Sequence, residues 1–102
     1  MAMLIAVYKT PKDAAAFDRY YQSTHVPLAK TIPALRSYDV SNGPVGLPKE
    51  PGGVHLVALL GFHSLAALGQ ALDSREGEAA AKDLANFASG GVELMVFDTK
   101  PV

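Results

Sequence analysis

The sequence predicts a mixed α+β fold in the order strand, helix, strand, strand, helix, strand, and three observations carry that prediction. Two short and almost wholly apolar runs, residues 3–9 and 54–62, read as central strands, because a strand buried on both faces shows no polar alternation. After each comes a stretch with apolar residues at helical spacing, opened by capping chemistry. A third apolar run, residues 92–98, closes the pattern.

The first run stops at Thr10-Pro11-Lys12-Asp13. Thr10 is the expected N-cap, Pro11 suits the first helical position, and Asp13 places negative charge near exposed N–H groups. The apolar side of the helix is Ala14, Phe17, Tyr21, Thr24 and Leu28, with Asp18, Arg19 and Gln22 elsewhere on the wheel; Asp18 reads as a surface charge. Pro27 lacks an N–H and clashes with the preceding turn, so the helix should kink or restart around His25-Val26-Pro27. Pro33 ends the second piece. Residues 35–40 alternate in polarity, as an edge strand does.

Residues 42–53 hold four glycines and three prolines and read as a loop, long for so small a domain. Ser64 can cap a helix with the stripe Leu65, Leu68 and Leu72. Ser74 can cap another with Ala80, Leu84, Phe87 and Ala88, which Gly90-Gly91 closes. The whole order is the split βαβ, or ferredoxin-like, arrangement: an antiparallel sheet with helices on one face. Residues 1–102 read as a single domain.

Composition adds a second copy to this picture. Apolar residues make up 49 % of the chain and charged ones only 19 %, against about a quarter charged in an average soluble domain. Helices cover one side of the sheet, yet the central strands are apolar on both. Exposing a second apolar face would cost roughly 25 cal/mol per Å², so sheet-to-sheet pairing in a homodimer is the simplest remedy. The net charge is −1 and the nine basic residues form no run, which argues against nucleic acid and anionic membrane as partners. No cysteine is present, so thiolate chemistry and disulfides are excluded. The apolar start lacks a basic n-region and a cleavage site, and a cytoplasmic location is expected.

The segment Tyr20-Tyr21-Gln22-Ser23-Thr24-His25-Val26-Pro27-Leu28-Ala29, with Ile32-Pro33-Ala34-Leu35 after it, resembles the EthD family, named for ethyl tert-butyl ether degradation. The similarity extends over nearly the whole chain. It includes Val7-Tyr8-Lys9 at the end of the first strand, Ser74-x-Glu76-Gly77, and Asp83-Leu84-Ala85-Asn86-Phe87. Ala34 departs from it, since the family often has Gly there; the change is expected to be harmless unless the backbone needs positive φ. The resemblance implies a dimeric α+β barrel with a cleft lined by sheet and helix. It also implies a part in the oxidative breakdown of small organic molecules, beside a separate monooxygenase system or by cofactor-independent oxidoreductase-type or isomerase-type chemistry. Structural relatives range from monooxygenases to haem-handling proteins, and fold does not choose among them.

Within that frame His25 is the first candidate catalytic residue, as a proton shuttle at a helix break; the competing reading has it bonding carbonyls freed by Pro27. Tyr21, four residues earlier, shares its helical face and is the second. Tyr8, Tyr20 and Tyr38 are candidates for substrate binding, since a phenol places an O–H in an apolar pocket, although packing alone also explains each. No metal is expected: His55 and His63, eight residues apart on one strand, stand about 26 Å apart at roughly 3.3 Å per residue. Asp83 and Asp98 read as solvated or capping carboxylates. No Walker loop or dinucleotide fingerprint is present, and no cofactor is expected. Two functions follow: an enzyme acting on a small hydrophobic molecule, or a carrier that holds such a molecule for a partner monooxygenase.

Overall fold

The computed structural model describes residues 1–102. Its sheet is antiparallel throughout. Strand β1 (Ala2–Lys9) lies between β4 (Glu50–Phe62) and β5 (Val92–Asp98), and β2 (Ser37–Val40) pairs the outer side of β4. Register sets the two faces, because residues paired across an antiparallel ladder point the same way. Leu4, Ala6 and Tyr8 pair Leu60, Ala58 and Leu56, and Tyr38 pairs Leu60 from the other side. These residues face the helices and build the core.

Helix α1 (Ala14–Tyr20) runs into a π-helical turn at Tyr21–His25 and a short α2 (Val26–Ala29). The cap differs from the expected one. Asp13, not Thr10, accepts the Ala16 N–H, and the Thr10 hydroxyl instead donates to the Gly53 carbonyl. The expected break at His25–Pro27 takes the form of the π turn, in which the Val26 N–H reaches back to the Tyr21 carbonyl. Pro27 has no N–H to give the next helical bond, so the chain accommodates it by widening the preceding turn. Ser64 and Ser74 cap α3 (Leu65–Asp73) and α4 (Arg75–Phe87) through bonds to Ala67 N–H and Gly77 N–H. At the α3–α4 corner Gly77 is obligatory, since a Cβ there would run into the Ala71 carbonyl and the Leu72 backbone.

Residues 42–53 are not a plain loop. Val45–Leu47 form β3, which pairs the first part of β4 as a hairpin. Glycine-rich sequence weakened the strand signal here; two flanking positive-φ glycines, Gly43 and Gly53, let the backbone turn while the ladder forms. Ala34 also lies at φ 64°. Its departure from the Gly common in the family is therefore strained, not harmless, because Cβ crowds the backbone in the left-handed region.

The side of the sheet away from the helices is apolar and open. Met3, Ile5 and Val7 share it with Val57 and Leu59 from β4 and with Met95 and Phe97 from β5. Phe97 is 40 % and Met95 46 % exposed. On β5 the helix side is uncovered too, at Leu94 and Val96. No helix is long and apolar enough to cross a membrane.

Candidate functional site

Helical spacing brings Phe17, Tyr21 and His25 into one inward stripe along α1 and the π turn, and all three are buried. Tyr21 stacks on Phe17 at 5.8 Å and meets the His25 ring at 5.4 Å. From α4, Phe87 closes on His25 at 4.7 Å. The imidazole plane is thus fixed by aromatic packing on two sides.

Its chemistry is set by Asp83. His25 Nδ1 lies 2.9 Å from Asp83 Oδ2, and both side chains are more than nine-tenths buried. The other carboxylate oxygen accepts from the Tyr20 hydroxyl at 2.5 Å and from Asn86 Nδ2 at 2.9 Å. Burial by itself would raise the Asp83 carboxyl, but the bonds from Tyr20, Asn86 and His25 outweigh it and hold the group below its ordinary value. An ionised carboxylate only accepts hydrogen bonds. His25 Nδ1 therefore carries the proton that Asp83 accepts, and in the neutral ring Nε2 is the unprotonated nitrogen. A carboxylate behind an imidazole is how a protein fixes both tautomer and orientation of a base.

Asp83 overturns its reading as a solvated or capping group. The signal lay in the sequence: Ala80, Asp83, Leu84 and Phe87 have the i, i+3, i+4, i+7 spacing of one buried stripe. A carboxylate on such a stripe needs partners. Asn86 was missed as well, and only the fold shows that it reaches the same carboxylate.

His25 lines a cavity of about 60 Å³ between sheet and helices, together with Tyr8, Tyr21 and Tyr38. The rest of the wall is mainly small aliphatic side chains, among them Ala6, Ala58 and Leu84, with the half-exposed Leu94 at the β5 side. Tyr21 and Tyr38 join hydroxyls at 2.6 Å, and Tyr8 meets the Tyr21 ring edge-on at 5.7 Å. Burial pushes the Tyr8, Tyr21 and Tyr38 phenols up, so all three are neutral O–H groups at physiological pH. Tyr20 stands apart from this cavity. Its hydroxyl is spent on Asp83, and that hydrogen bond pushes its phenol up; its ring stacks on Phe87 and lines a separate surface groove. Of the five residues singled out from sequence, four therefore meet at the cavity and Tyr20 supports them from behind.

No three His, Asp or Glu side chains converge on a common point. His55 turns its ring toward Phe17 on the helix side and bonds Asp18 at 2.7 Å; Asp18 is the expected surface charge, 59 % exposed, with that histidine as its partner.

With the fold and this geometry established, similarity to known proteins becomes informative. The family model of the EthD domain matches residues 9–91. The chain belongs to the EthD family. An uncharacterized 11.0 kDa protein from the thcB–thcC intergenic region of Rhodococcus erythropolis is 42 % identical over 102 residues, covering 100 % of this chain and 98 % of that one. An EthD family protein of Bacillus halodurans has the same fold at TM-score 0.89, with 36 % identity over 98 % of this chain and 99 % of that one. Two more distant structures are similar in fold alone. One is a cofactor-independent oxygenase, SnoaB, from Streptomyces nogalater (TM-score 0.67, 14 % identity, 99 % and 94 % covered). The other is a dimeric protein of ferredoxin-like fold from Bacteroides fragilis (0.64, 17 %, 96 % and 95 %). This EthD chain thus has the ferredoxin-like α+β architecture, a fold also used for oxygen chemistry without a cofactor.

Proposed function

We propose that this EthD protein is a homodimer that binds a small hydrophobic organic molecule between sheet and helices and removes a proton from it at His25 Nε2, opening its oxidative breakdown. The observation that carries the reading is the buried His25–Asp83 pair at the wall of an apolar cavity. Asp83 keeps the proton on Nδ1, so Nε2 is the acceptor, and the imidazolium formed is stabilised by the carboxylate. Neutral Tyr8, and whichever of Tyr21 and Tyr38 does not donate to the other, supply donors to an oxyanion among apolar side chains. The substrate is accordingly a molecule with an acidic C–H beside a carbonyl, or a phenol that gives up its O–H proton and carries charge on a ring carbon.

The chemistry balances with dioxygen as the only co-substrate. His25 takes the C–H proton, or the O–H proton of a phenol; the carbanion, enolate or phenolate carbon gives its electron pair to dioxygen, forming a C–O bond. Dioxygen is reduced to the peroxide level and the imidazolium returns the proton, giving a hydroperoxide. Return of the proton to a different carbon gives isomerisation instead.

The cavity limits the ligand by size. At about 60 Å³ it has room for roughly two waters at about 30 Å³ each, so a larger ligand extends outward past the exposed Leu94 edge. The open apolar face of Met3, Ile5, Leu59, Met95 and Phe97 supports a second copy packed on the sheet, as does the dimeric relative of like fold. A panel of small phenols and ketones, followed by oxygen consumption and product mass, tests the function. Turnover by the wild-type protein that His25→Gln abolishes while leaving the dimer intact supports it. Binding that survives His25→Gln with no substrate changed by either protein would replace catalysis by the carrier role.

A further inference from the structure

No residue of the glycine- and proline-rich stretch 42–53 lines the His25 cavity. That stretch opens on the pair Asn42-Gly43, and both residues are exposed. Asparagine is thermolabile because the backbone nitrogen of the following residue can attack its side-chain carbon and close a cyclic imide. The attack needs an accessible side chain, a following residue with no side chain to crowd the ring, and a backbone N–H that is not held in a hydrogen bond.

All of these conditions meet at Asn42. Strand β2 closes at Val40, and Ser41 still clamps the chain to β4: its N–H donates to the Val57 carbonyl at 2.8 Å, and its Oγ accepts the Val57 N–H at 3.0 Å. Beyond Ser41 the backbone is released, and pairing resumes only at Val45, opposite Val54. The Asn42 side chain makes no hydrogen bond, and the Gly43 N–H donates to no group in the chain. Gly43 sits at φ 87°, a conformation that glycine adopts without strain. A Cβ built there would meet nothing within 4 Å, so solvent base reaches the Gly43 N–H freely. The chain's other asparagine is protected. Asn86 is followed inside α4 by the bulky Phe87, and its amide is held by Asp83 at 2.9 Å.

We propose that Asn42 is a site of spontaneous covalent modification, at which the folded chain converts its own asparagine to aspartate and isoaspartate with water as the only co-reactant. Gly43 N bonds to Asn42 Cγ while the Cγ–Nδ2 bond breaks, and Nδ2 leaves as ammonia with the proton lost by Gly43 N. Water then opens the cyclic imide. Opening at Cγ gives aspartate. Opening at the main-chain carbonyl gives isoaspartate, whose backbone runs through Cβ and Cγ and is one carbon longer. No atom is oxidised or reduced. Each product adds one carboxylate to a chain of net charge −1. The Ser41 clamp stands between the changed residue and Tyr38, so the turn from β2 into β3 alters while the His25 cavity keeps its geometry.

The test is ageing of the full-length protein at neutral pH and physiological temperature, followed by trypsin digestion and mass spectrometry. The peptide Ser37–Lys49 has Asn42 as its only side-chain amide, so a gain equal to the difference between an oxygen and an NH group reports that residue alone. The same chain held in urea gives the rate without the fold. A segment with no bonds to break reacts near the unfolded rate, so the folded rate is expected within about tenfold of it. The product should split into separate aspartate and isoaspartate peaks, while the peptide that carries Asn86 keeps its mass. A folded-state rate more than about tenfold below the unfolded one, or equal conversion of Asn86, overturns the inference. Tyr38 ring signals that move as conversion proceeds would overturn the confinement by Ser41.

Discussion

Replacing Asp83 by Asn separates the role of charge from that of shape. The wild-type carboxylate accepts three hydrogen bonds, from Tyr20, Asn86 and His25. Bonds to a charged partner contribute about 1.5–3 kcal/mol each and neutral ones about 0.5–1.5 kcal/mol. Over three bonds the difference comes to roughly 4 kcal/mol, partly offset because a neutral amide costs less to bury than a carboxylate. The expected net loss is about 1–3 kcal/mol of stability, measured by urea unfolding at fixed protein concentration, since a dimer's stability depends on it. The amide also has an NH₂ group that must point somewhere. Turned toward Asn86 it would face another donor, so it turns toward His25 and donates to Nδ1. The His25 proton then moves to Nε2, and the acceptor facing the cavity is lost. Long-range ¹H–¹⁵N spectra of the imidazole read this change directly. If His25 keeps its proton on Nδ1 in Asp83→Asn and stability falls by less than about 0.5 kcal/mol, the carboxylate does not set the tautomer. Where a base is held in the wrong tautomer, turnover falls by about 10⁴. Acid provides a further check on the same group. Because the Asp83 carboxyl is held below its ordinary value of 3.8, its contribution is full above that pH and is lost as pH falls through the lower, folded value. The acid limb of the stability curve should therefore be shallower in the variant.

Three other outcomes follow from the same structure. All four tyrosines, the whole complement of the chain, have phenols pushed above their ordinary value of 10.0 by burial or, for Tyr20, by its bond to Asp83, so the tyrosinate step in absorbance near 295 nm should be displaced above pH 10. Stability is full below that pH and falls above it, as the unfolded chain ionises first; a normal phenolate titration of the folded protein would contradict the buried assignment. Ala34→Gly relieves a left-handed residue at φ 64° and should stabilise by about 0.5–1 kcal/mol, the strain of roughly 1–2 kcal/mol less the added entropy of the unfolded chain; a lower unfolding midpoint would refute the strain. Leu59→Glu puts a charge opposite Ile5 in the middle of the open sheet face and should convert the proposed dimer to monomer in sedimentation velocity; a monomeric wild type would refute the dimer, and an unchanged dimer would refute this face as its interface.

The fold was largely legible because its information is local. Two almost wholly apolar runs marked β1 and β4, serines at 64 and 74 marked two helix starts, and Pro27 marked a disturbed turn. Where local signals compete, reading by pattern failed. Thr10 and Asp13 both have cap chemistry, and Asp13 wins because Thr10 is drawn into a bond with Gly53, 43 residues away. Residues 42–53 look like a loop by composition, yet β3 forms there because β4 extends far enough to offer a template. Ala34 gives no sign of its positive φ in its own side chain; only comparison with a Gly pattern raises the question.

The site was legible by half, and the boundary is physical. His25 and Tyr21 share one helix, so spacing alone set them on one face. Asp83 lies 58 residues from His25 and was weighed by the average behaviour of carboxylates, which favours solvent. Its position on the stripe of Ala80, Leu84 and Phe87 carried more weight than residue type, because the stripe faces inward whatever occupies it. An acid at such a position costs several kcal/mol unless partners are supplied, so its presence implies donors nearby. Tyr20, Asn86 and His25 are those donors. Tyr20 was placed with the ligand-binding tyrosines because a phenol suits that task, but its neighbours on the helix turn it to the Asp83 side. A buried acid on an apolar helix face is thus a stronger pointer to a site than the histidine it serves, since the histidine can be buried neutral and the carboxylate must be paired.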